Sequence, residues 1–345
     1  MNTKKKRPTI KQVAKAAGVS TQTVSRVINN RPDVAKDTRK RVKDVIETIG
    51  YQPSALARSL IRKRSYTLGV LTAGLKFIGP NRTLNGITSA AEEAGYSLLL
   101  KELPHFNTNN IEPIINEFLS RHVDGIIWAA PEIGDNRDWL EDFQNEWNVP
   151  FVFLTMEPRK NMSIIAVDNY MGGKIATSHL LENGYHHIGH ISGPMDWWES
   201  RQRFNAWKDV VQAAGQNEID RCWSEGNWSS ASGYEAAAKL FEKFPELDAI
   251  FVGNDQMALG AYTFIFERGL AIPDDIGVVG FDNIAESEYF FPSLTTIQHD
   301  HIQVGTLAVK ELIRIIDAIE NDQDVDNRVT IIKPELLVRE SSAKK

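Results

Sequence analysis

The chain has 345 residues, 42% of them hydrophobic and 24% charged, with a formal net charge of −6. Its single cysteine, Cys222, excludes an internal disulfide and fits a reducing compartment. No apolar run approaches a membrane span, and no apolar core follows the basic N-terminus as it would in a secretory signal, so a cytoplasmic protein with no membrane partner is expected.

The net charge hides an asymmetry. Residues 1–64 hold 17 Lys and Arg against four acidic residues, a net of +13, which leaves −19 for the remainder of a chain whose total is −6. A basic head on an acidic body reads as a polyanion-binding module joined to something else.

The first elements explain the head. In "IKQVAKAAGVSTQTVSRVINN" (10–30), Ile10, Val13, Ala14 and Ala17 share one helical face. Gly18 suits the left-handed residue that ends a helix, and Ser20 is a good N-cap for the next one. Val24, Val27 and Ile28 form a second inward face, and two helices across so tight a turn cross steeply, as in a helix-turn-helix. Val42, Val45, Ile46 and Ile49 share the face of a third helix, which Gly50 stops. The outward face of the second helix carries Thr21, Gln22, Ser25 and Arg26, donors and acceptors able to read base edges in a major groove.

The head ends at a joint, "YQPSALARSLIRKRS" (51–65). Pro53 breaks the chain, Ser54 can cap, and "ALARSL" is too short to hold a helix alone. Leu56 and Leu60 lie on one side and Arg58 and Arg62 on another, which suits a hinge helix ordered on docking, with an apolar wedge for a minor groove.

From residue 66 strands and helices alternate. Strands are expected at 67–72, 96–103, 124–130, 149–155, 187–193, 249–255 and 276–282. Helices are expected at 81–95, about 110–121 and 137–147, 170–183, 199–214, 230–243 and 256–268. Near-continuous apolar strands with intervening helices imply parallel sheets covered on both faces, and two such series imply two doubly wound lobes. The last segments, 294–300, 302–319 and 330–340, can cross back between the lobes.

Ligands of open parallel sheets bind beyond the carboxyl ends of the strands. Three strands end in polar pairs there: Asn254–Asp255, Asp282–Asn283 and His299–Asp300. Asp255 competes as N-cap of the following helix, which makes Asn254 the better ligand candidate. Arg201 and Arg203 in "WWESRQRF" can point into the cleft, and Trp197, Trp198 and Trp228 can offer flat faces to a sugar ring. Enzyme motifs fail. "GGK" at 172–174 lacks the upstream glycine of a P-loop and is followed by Ile175, no GxSxG is present, and "HHIGH" (186–190) reads as the opening of a strand and not a zinc site. The expected protein is not an enzyme and uses no cofactor or metal.

The motifs "IKQVAKAAGVSTQTVSRVINN", "GYQPSALARSL", "GNDQMALGA", "GFDN" and "SLTTIQHD" resemble those of the LacI/GalR family of bacterial transcription regulators over nearly the full length. The resemblance implies an N-terminal all-α helix-turn-helix head (1–51), a hinge helix (52–65) and a two-lobed α/β core of doubly wound parallel sheets similar to periplasmic sugar-binding proteins (66–340), with a tail at 341–345. It further implies split lobes, roughly 66–167 with 300–328 and 168–299 with 329–340. The implied DNA-facing residues are Thr9, Ser20, Thr21, Gln22, Thr23, Ser25, Arg26 and Asn29, with Ala57 and Leu60 in the hinge. The implied effector residues are Ala73, Trp197, Arg203, Trp228, Asn254, Asp282 and His299.

There are departures from the sugar-responsive pattern. Ala73, Ala129 and Thr155 stand where polar groups are expected, Trp197 and Glu199 replace serines, and His299 replaces a glutamine. A different or differently seated sugar follows, with a neutral di- or oligosaccharide favoured. No leucine-heptad tail is present, so a homodimer is expected in place of a tetramer. The reading is a repressor of pseudo-palindromic operator DNA whose affinity is lowered by a small sugar between the lobes. Its alternatives are the same architecture with a corepressor, a purine or a phosphoprotein, or a carbohydrate-binding protein without a regulatory role.

Overall fold

The computed structural model describes residues 8–28, 31–51, 64–103, 105–106, 108, 110–134, 136–140 and 147–343. They form two compact units that meet between Tyr66 and Thr67.

The first unit holds helices α1 (Ile10–Ala17), α2 (Thr21–Ile28) and α3 (Lys36–Ile49). Gly18 adopts the left-handed conformation (φ 64°), which costs a residue without a Cβ little, and so ends α1. Two residues after Gly18, Ser20 Oγ accepts from the Thr23 backbone N–H at 3.1 Å, which caps α2 as the sequence predicts. The alternating apolar positions then meet: Val13, Ala14, Ala17, Val24, Val27 and Val42 are buried together.

The second unit contains two six-stranded sheets. The first lobe runs β1 (Thr67–Thr72), α4 (Ile78–Glu93), β2 (Ser97–Glu102), α5 (Glu112–Ser120), β3 (Gly125–Trp128), β4 (Phe151–Leu154) and β5 (Ile164–Val167). The second runs α6 (Asn169–Glu182), β6 (Ile188–Ser192), α7 (Trp198–Ala213), β7 (Trp223–Glu225), α8 (Ser230–Lys243), β8 (Ala249–Val252), α9 (Asp255–Glu267), β9 (Gly277–Phe281) and β10 (Thr295–Gln298). The chain then returns through α10 (His301–Glu320) and finishes with β11 (Val329–Ile332) and β12 (Glu335–Leu337). The sheet orders are β11-β5-β4-β3-β1-β2 and β12-β10-β9-β8-β6-β7. The strand pairings within these two sheets are parallel except that of β10 with β12. Strands such as β3, β4, β8 and β9 are buried along their whole length, as expected where helices cover both faces. Among the described residues no helix is long and apolar enough to cross a membrane.

Three details correct the sequence reading. The short strands β5 and β7 carry no turn signal strong enough to announce them. The segment expected as a helix at 137–147 shows a 3-10 turn at Asp138–Leu140, and 141–146 lie outside the described residues. The final crossing is also placed differently. Residues 329–332, expected in the second lobe, pair in parallel with β5 of the first, Val329 opposite Ile164 and Ile332 opposite Val167. Pro334, which has no N–H for a ladder, separates β11 from β12, and only β12 joins the second lobe, antiparallel to β10.

Candidate functional site

On the head, Thr21, Gln22 and Arg26 are exposed on α2, while Thr23 and Ser25 are half-buried. Two members of the expected DNA-facing set have local tasks. Ser20 caps α2, and Thr9 donates its backbone N–H to Gln12 Oε1 at 2.8 Å at the start of α1. Arg26 lies 3.5 Å from Asp33, both about half exposed, a pair too weak to withhold the guanidinium from an outside acceptor. Asn29, Ala57 and Leu60, with most of the hinge, lie outside the described residues.

In the second unit the strand ends of the two lobes face a cleft of about 700 Å³ counting its open mouth. Arg203, 6% exposed, projects from α7. Its Nε donates to Asn169 Oδ1 at 2.8 Å, its Nη1 donates to the Gly253 carbonyl, and its guanidinium carbon lies 3.6 Å from the Phe281 ring centre. The remaining nitrogen, Nη2, reaches to 3.9 Å from Asp282 Oδ1. Burial lowers the Arg203 pKa, and Asp282 and Glu199 oppose that shift.

Asp282 follows β9 in a strained turn, with φ 103° at Asp282 and 47° at Asn283. Its Oδ1 lies 3.2 Å from His299 Nε2 and 4.0 Å from His301 Nε2. Burial pushes the Asp282 carboxyl up, but the His299 hydrogen bond and Arg203 outweigh it and hold the group below the usual aspartate range. Burial also pushes His301 well below the usual histidine range, which favours a neutral ring. Asp282, His299 and His301 bring three donor atoms within 4.8 Å of one another. Two features disfavour a cation there: the Arg203 guanidinium beside the same carboxylate, and the place of His301 in the first, dipole-positive turn of α10.

The aromatic part of the wall comes from both lobes. Trp197 meets Trp228 edge-on, with centroids 5.7 Å apart and planes at 69°, and meets Phe77 at 5.6 Å and 89°. Trp228 has a positive φ of 71° and lies against Gly193, where a Cβ would come within 2.1 Å of the indole. Only glycine admits that approach. On the opposite side the first lobe contributes Phe77, Ile78, Pro80, Ala129, Leu154 and Thr155. One end of the cleft is therefore rich in hydrogen-bonding groups and the other is largely apolar, an arrangement suited to binding an amphiphilic small molecule.

Of the expected effector residues, Trp197, Arg203, Trp228, Asn254 and Asp282 line the cleft together. Ala73 does not: it is 1% exposed and packs in the first-lobe core. His299 stands behind Asp282 and acts on it. Arg201 turns away, its Nη1 donating to the Asp196 carbonyl at 2.8 Å, and Trp198 is packed into the first-lobe core. The cap expected at Asp255 falls on Asn254, which lines the cleft as well. Asn254 is the N-cap of α9, accepting from the Met257 N–H at 2.8 Å, while its amide nitrogen donates to the Trp228 carbonyl at 3.1 Å. Asp255 is fully buried behind it. The cap falls on the residue with extended backbone (φ −153°, ψ 164°), and that is Asn254.

Several lining residues were not selected from sequence. His301, Gln256 and Phe77 carried no local signal. Glu199 stood out only as an acidic residue in place of a serine. It is the second residue of α7, its Oε2 is buried without a protein partner, and burial pushes its carboxyl up to about 7. The "HHIGH" histidines form no metal cluster among the described residues. His190 is buried in the core, its Nδ1 2.8 Å from the Phe251 carbonyl, and burial pushes it down to about 3.

Comparison with known proteins places both units. The model of bacterial regulatory proteins of the lacI family matches residues 9–54, and that of the periplasmic binding protein-like domain matches 177–342. The chain is 34% identical over 339 residues to the HTH-type transcriptional repressor PurR of Pasteurella multocida, covering 96% of this chain and 98% of that protein. It is 36% identical over 341 residues to PurR of Actinobacillus pleuropneumoniae, with the same coverage of 96% and 98%. Among solved structures it is similar to the lac repressor dimer bound to operator and the anti-inducer ONPF, with TM-score 0.85 and 29% identity over 98% of this chain and 99% of that one. It is also similar to the complex of the transcriptional regulator CelR with cellobiose, with TM-score 0.70 and 28% identity over 97% and 100%.

Proposed function

This chain belongs to the LacI family of bacterial regulatory proteins and is a DNA-binding transcriptional repressor, and on that premise we propose that a small neutral carbohydrate of more than one unit, bound between the lobes of the core, lowers its affinity for a pseudo-palindromic operator. The observation that carries this reading is the charge of the cleft. Arg203 is the one Lys or Arg among its described lining residues, and its Nε and Nη1 are already bonded to protein, while two carboxyl groups, Asp282 and Glu199, face the same space. A phosphate dianion finds repulsion there. Hydroxyl groups find two acceptors and a donor, and the tryptophan faces suit the apolar side of a pyranose.

The apolar first-lobe wall extends the site beyond one ring, which supports a disaccharide or glycoside. A solved relative whose ligand is cellobiose is consistent with that size. The second reading, a purine corepressor, rests on the overall similarity to repressors named PurR. The aromatic geometry favours it less. A flat base is best held between parallel rings, and Trp197, Trp228 and Phe77 meet edge-on.

The effector acts through its differential affinity for two arrangements of the lobes, which are linked at three chain crossings, and so respaces the paired hinges at 52–65. The paired hinges require a homodimer. Exposed apolar side chains of the second lobe suit one: Tyr289 and Phe291 are 78% and 87% exposed, and Leu259 and Phe266 are 46% exposed each. The test is calorimetry on the full chain with cellobiose, lactose, glucose 6-phosphate and hypoxanthine, repeated on Arg203→Ala and Asp282→Ala. A disaccharide should bind, and both substitutions should abolish its binding. Tight binding of hypoxanthine or glucose 6-phosphate, undisturbed by either substitution, refutes the ligand class and the site together.

A further inference from the structure

The "GND" and "GFD" motifs are separated by 24 residues of sequence but are physically joined through Asp255, which is not among the residues lining the cleft. Asp255 is 0% exposed. Its Oδ2 accepts from the Ile284 backbone N–H at 3.0 Å and from Ser287 Oγ at 2.6 Å, and its Oδ1 accepts from Thr296 Oγ1 at 2.6 Å. On the near side of the turn, a Cβ at Gly280 would stand 2.1 Å from Asp255 Oδ1. The carboxylate therefore touches the backbone two residues before Asp282 and two residues after it. Thr296 Oγ1, held by Asp255, is also 3.4 Å from the Asn283 N–H.

We propose that Asp255 is the positioning residue for Asp282: a buried carboxylate clamp that holds the strained 282–284 turn in the one conformation that presents the Asp282 carboxylate to an effector beside Arg203. The proposal rests on the reading of the cleft as the effector site. The physical case has two parts. Residues held at positive φ revert when their surroundings no longer over-determine them. Meanwhile a carboxylate is a costly group to bury, and its three hydrogen bonds go to the turn, to the 3-10 segment that follows it and to the neighbouring strand β10. Burial pushes the Asp255 carboxyl up to about 7 in spite of those bonds, so the group costs stability and its return is geometry. The same logic makes the groups that orient a ligand-reading residue nearly as sensitive to substitution as the residue itself.

The experiment uses the full chain in four forms: wild type, Asp255→Ala, Asp255→Asn and Asp282→Asn. Hydrogen–deuterium exchange of the ligand-free protein is followed by mass spectrometry on peptides covering 279–290. Calorimetry follows with cellobiose, lactose, sucrose and methyl-β-glucoside. Asp255→Ala should raise exchange across 282–287 at least tenfold with the rest of the second lobe unchanged, and should weaken the tightest of the four sugars at least tenfold. Asp255→Asn, which can still accept from Ile284 and can donate to Thr296, should stay within about threefold of wild type. If Asp255→Ala does not fold, Ser287→Ala and Thr296→Val, each removing one bond to the same carboxylate, should both increase exchange in that peptide. Unchanged exchange at 279–290 in the folded variants overturns the clamp. Unchanged sugar affinity in Asp255→Ala, or in both single-bond variants, overturns its role in binding while the carbohydrate reading stands. If no sugar binds wild type, or if Asp282→Asn binds like wild type, the reading of the cleft fails and the binding role fails with it, while exchange alone still decides the clamp.

Discussion

Replacing Glu199 by glutamine should stabilise the empty protein, and the gain should depend on pH. The side chain stands in the first turn of α7 with Oε2 buried and unpartnered, and burial pushes its carboxyl from 4.5 to about 7, against the lowering effects of its own backbone N–H, Arg203 and Arg137 and with the raising effect of Glu132. An acid whose folded pKa lies above its unfolded value binds a proton in the native state where the unfolded chain does not. Its contribution to stability is therefore lost as pH rises from about 4.5 through about 7, and stays lost above that. At about 1.4 kcal/mol per pH unit between 4.5 and about 7, the full difference is at most about 3.5 kcal/mol. Glutamine has the same shape and no charge to bury. The variant should therefore be more stable by about 1 kcal/mol or less at pH 5 and by about 3 kcal/mol at pH 8. The difference between the two chains is the quantity to follow, because His190 and His301, held neutral by burial, give the absolute profile an opposite slope below about pH 6.5. Urea denaturation of both proteins without ligand, at pH 5, 6, 7 and 8, measures it. A gap that is constant over this range, or a variant less stable at pH 8, refutes the account of Glu199 as a carboxyl held against its solvation.

Other outcomes follow from the same geometry. Gln22→Ala should cost about 1–3 kcal/mol at one base pair of each operator half-site and relax specificity there; a uniform loss across single-base operator variants in gel-shift titrations would show that Gln22 does not read bases. Asp282→Ala or Arg203→Ala should abolish induction while operator binding persists, since hydrogen bonds to charged groups contribute about 1.5–3 kcal/mol each and truncation strands a buried partner; release of operator by sugar at wild-type concentrations in either variant excludes that role. Leu60→Gly should reduce operator affinity and the DNA bend seen by circular-permutation gel shift without altering sugar affinity, and an unchanged bend would make 52–65 a plain linker.

The head was legible because its information is local. Apolar residues at helical spacing, a glycine able to take the left-handed conformation and a serine able to cap are all decided within a few residues, and α1, α2 and their turn form as the spacing requires. The long buried strands were legible for a related reason: a run such as "AIFV" or "GVVGF" has no polar face to present to water, so it must lie between covered layers. The charge split between head and body, and the polar residues at the ends of β8, β9 and β10, pointed to the basic head and to the candidate cleft. What the local pattern left open was every choice between equivalent partners. Residues 329–332 and 335–337 are both extended and apolar enough to join either sheet, and only the free edges beside β5 and β10 assign one to each lobe. Asn254 and Asp255 are both good capping residues, and the backbone angle imposed by packing β8 against α9 decides which of them caps. Trp197 and Trp198 are adjacent and chemically alike, yet one lines the cleft and the other fills the first-lobe core, because neighbouring residues at the start of a helix point about 100° apart. The cleft brings together side chains from Phe77 to His301, more than 200 residues apart in the chain, and no period or cap in the sequence encodes that meeting. It is decided by the two sheets facing each other, because burial, charge pairing and the pKa of groups such as Glu199 and Asp255 depend on neighbours that only the tertiary structure supplies.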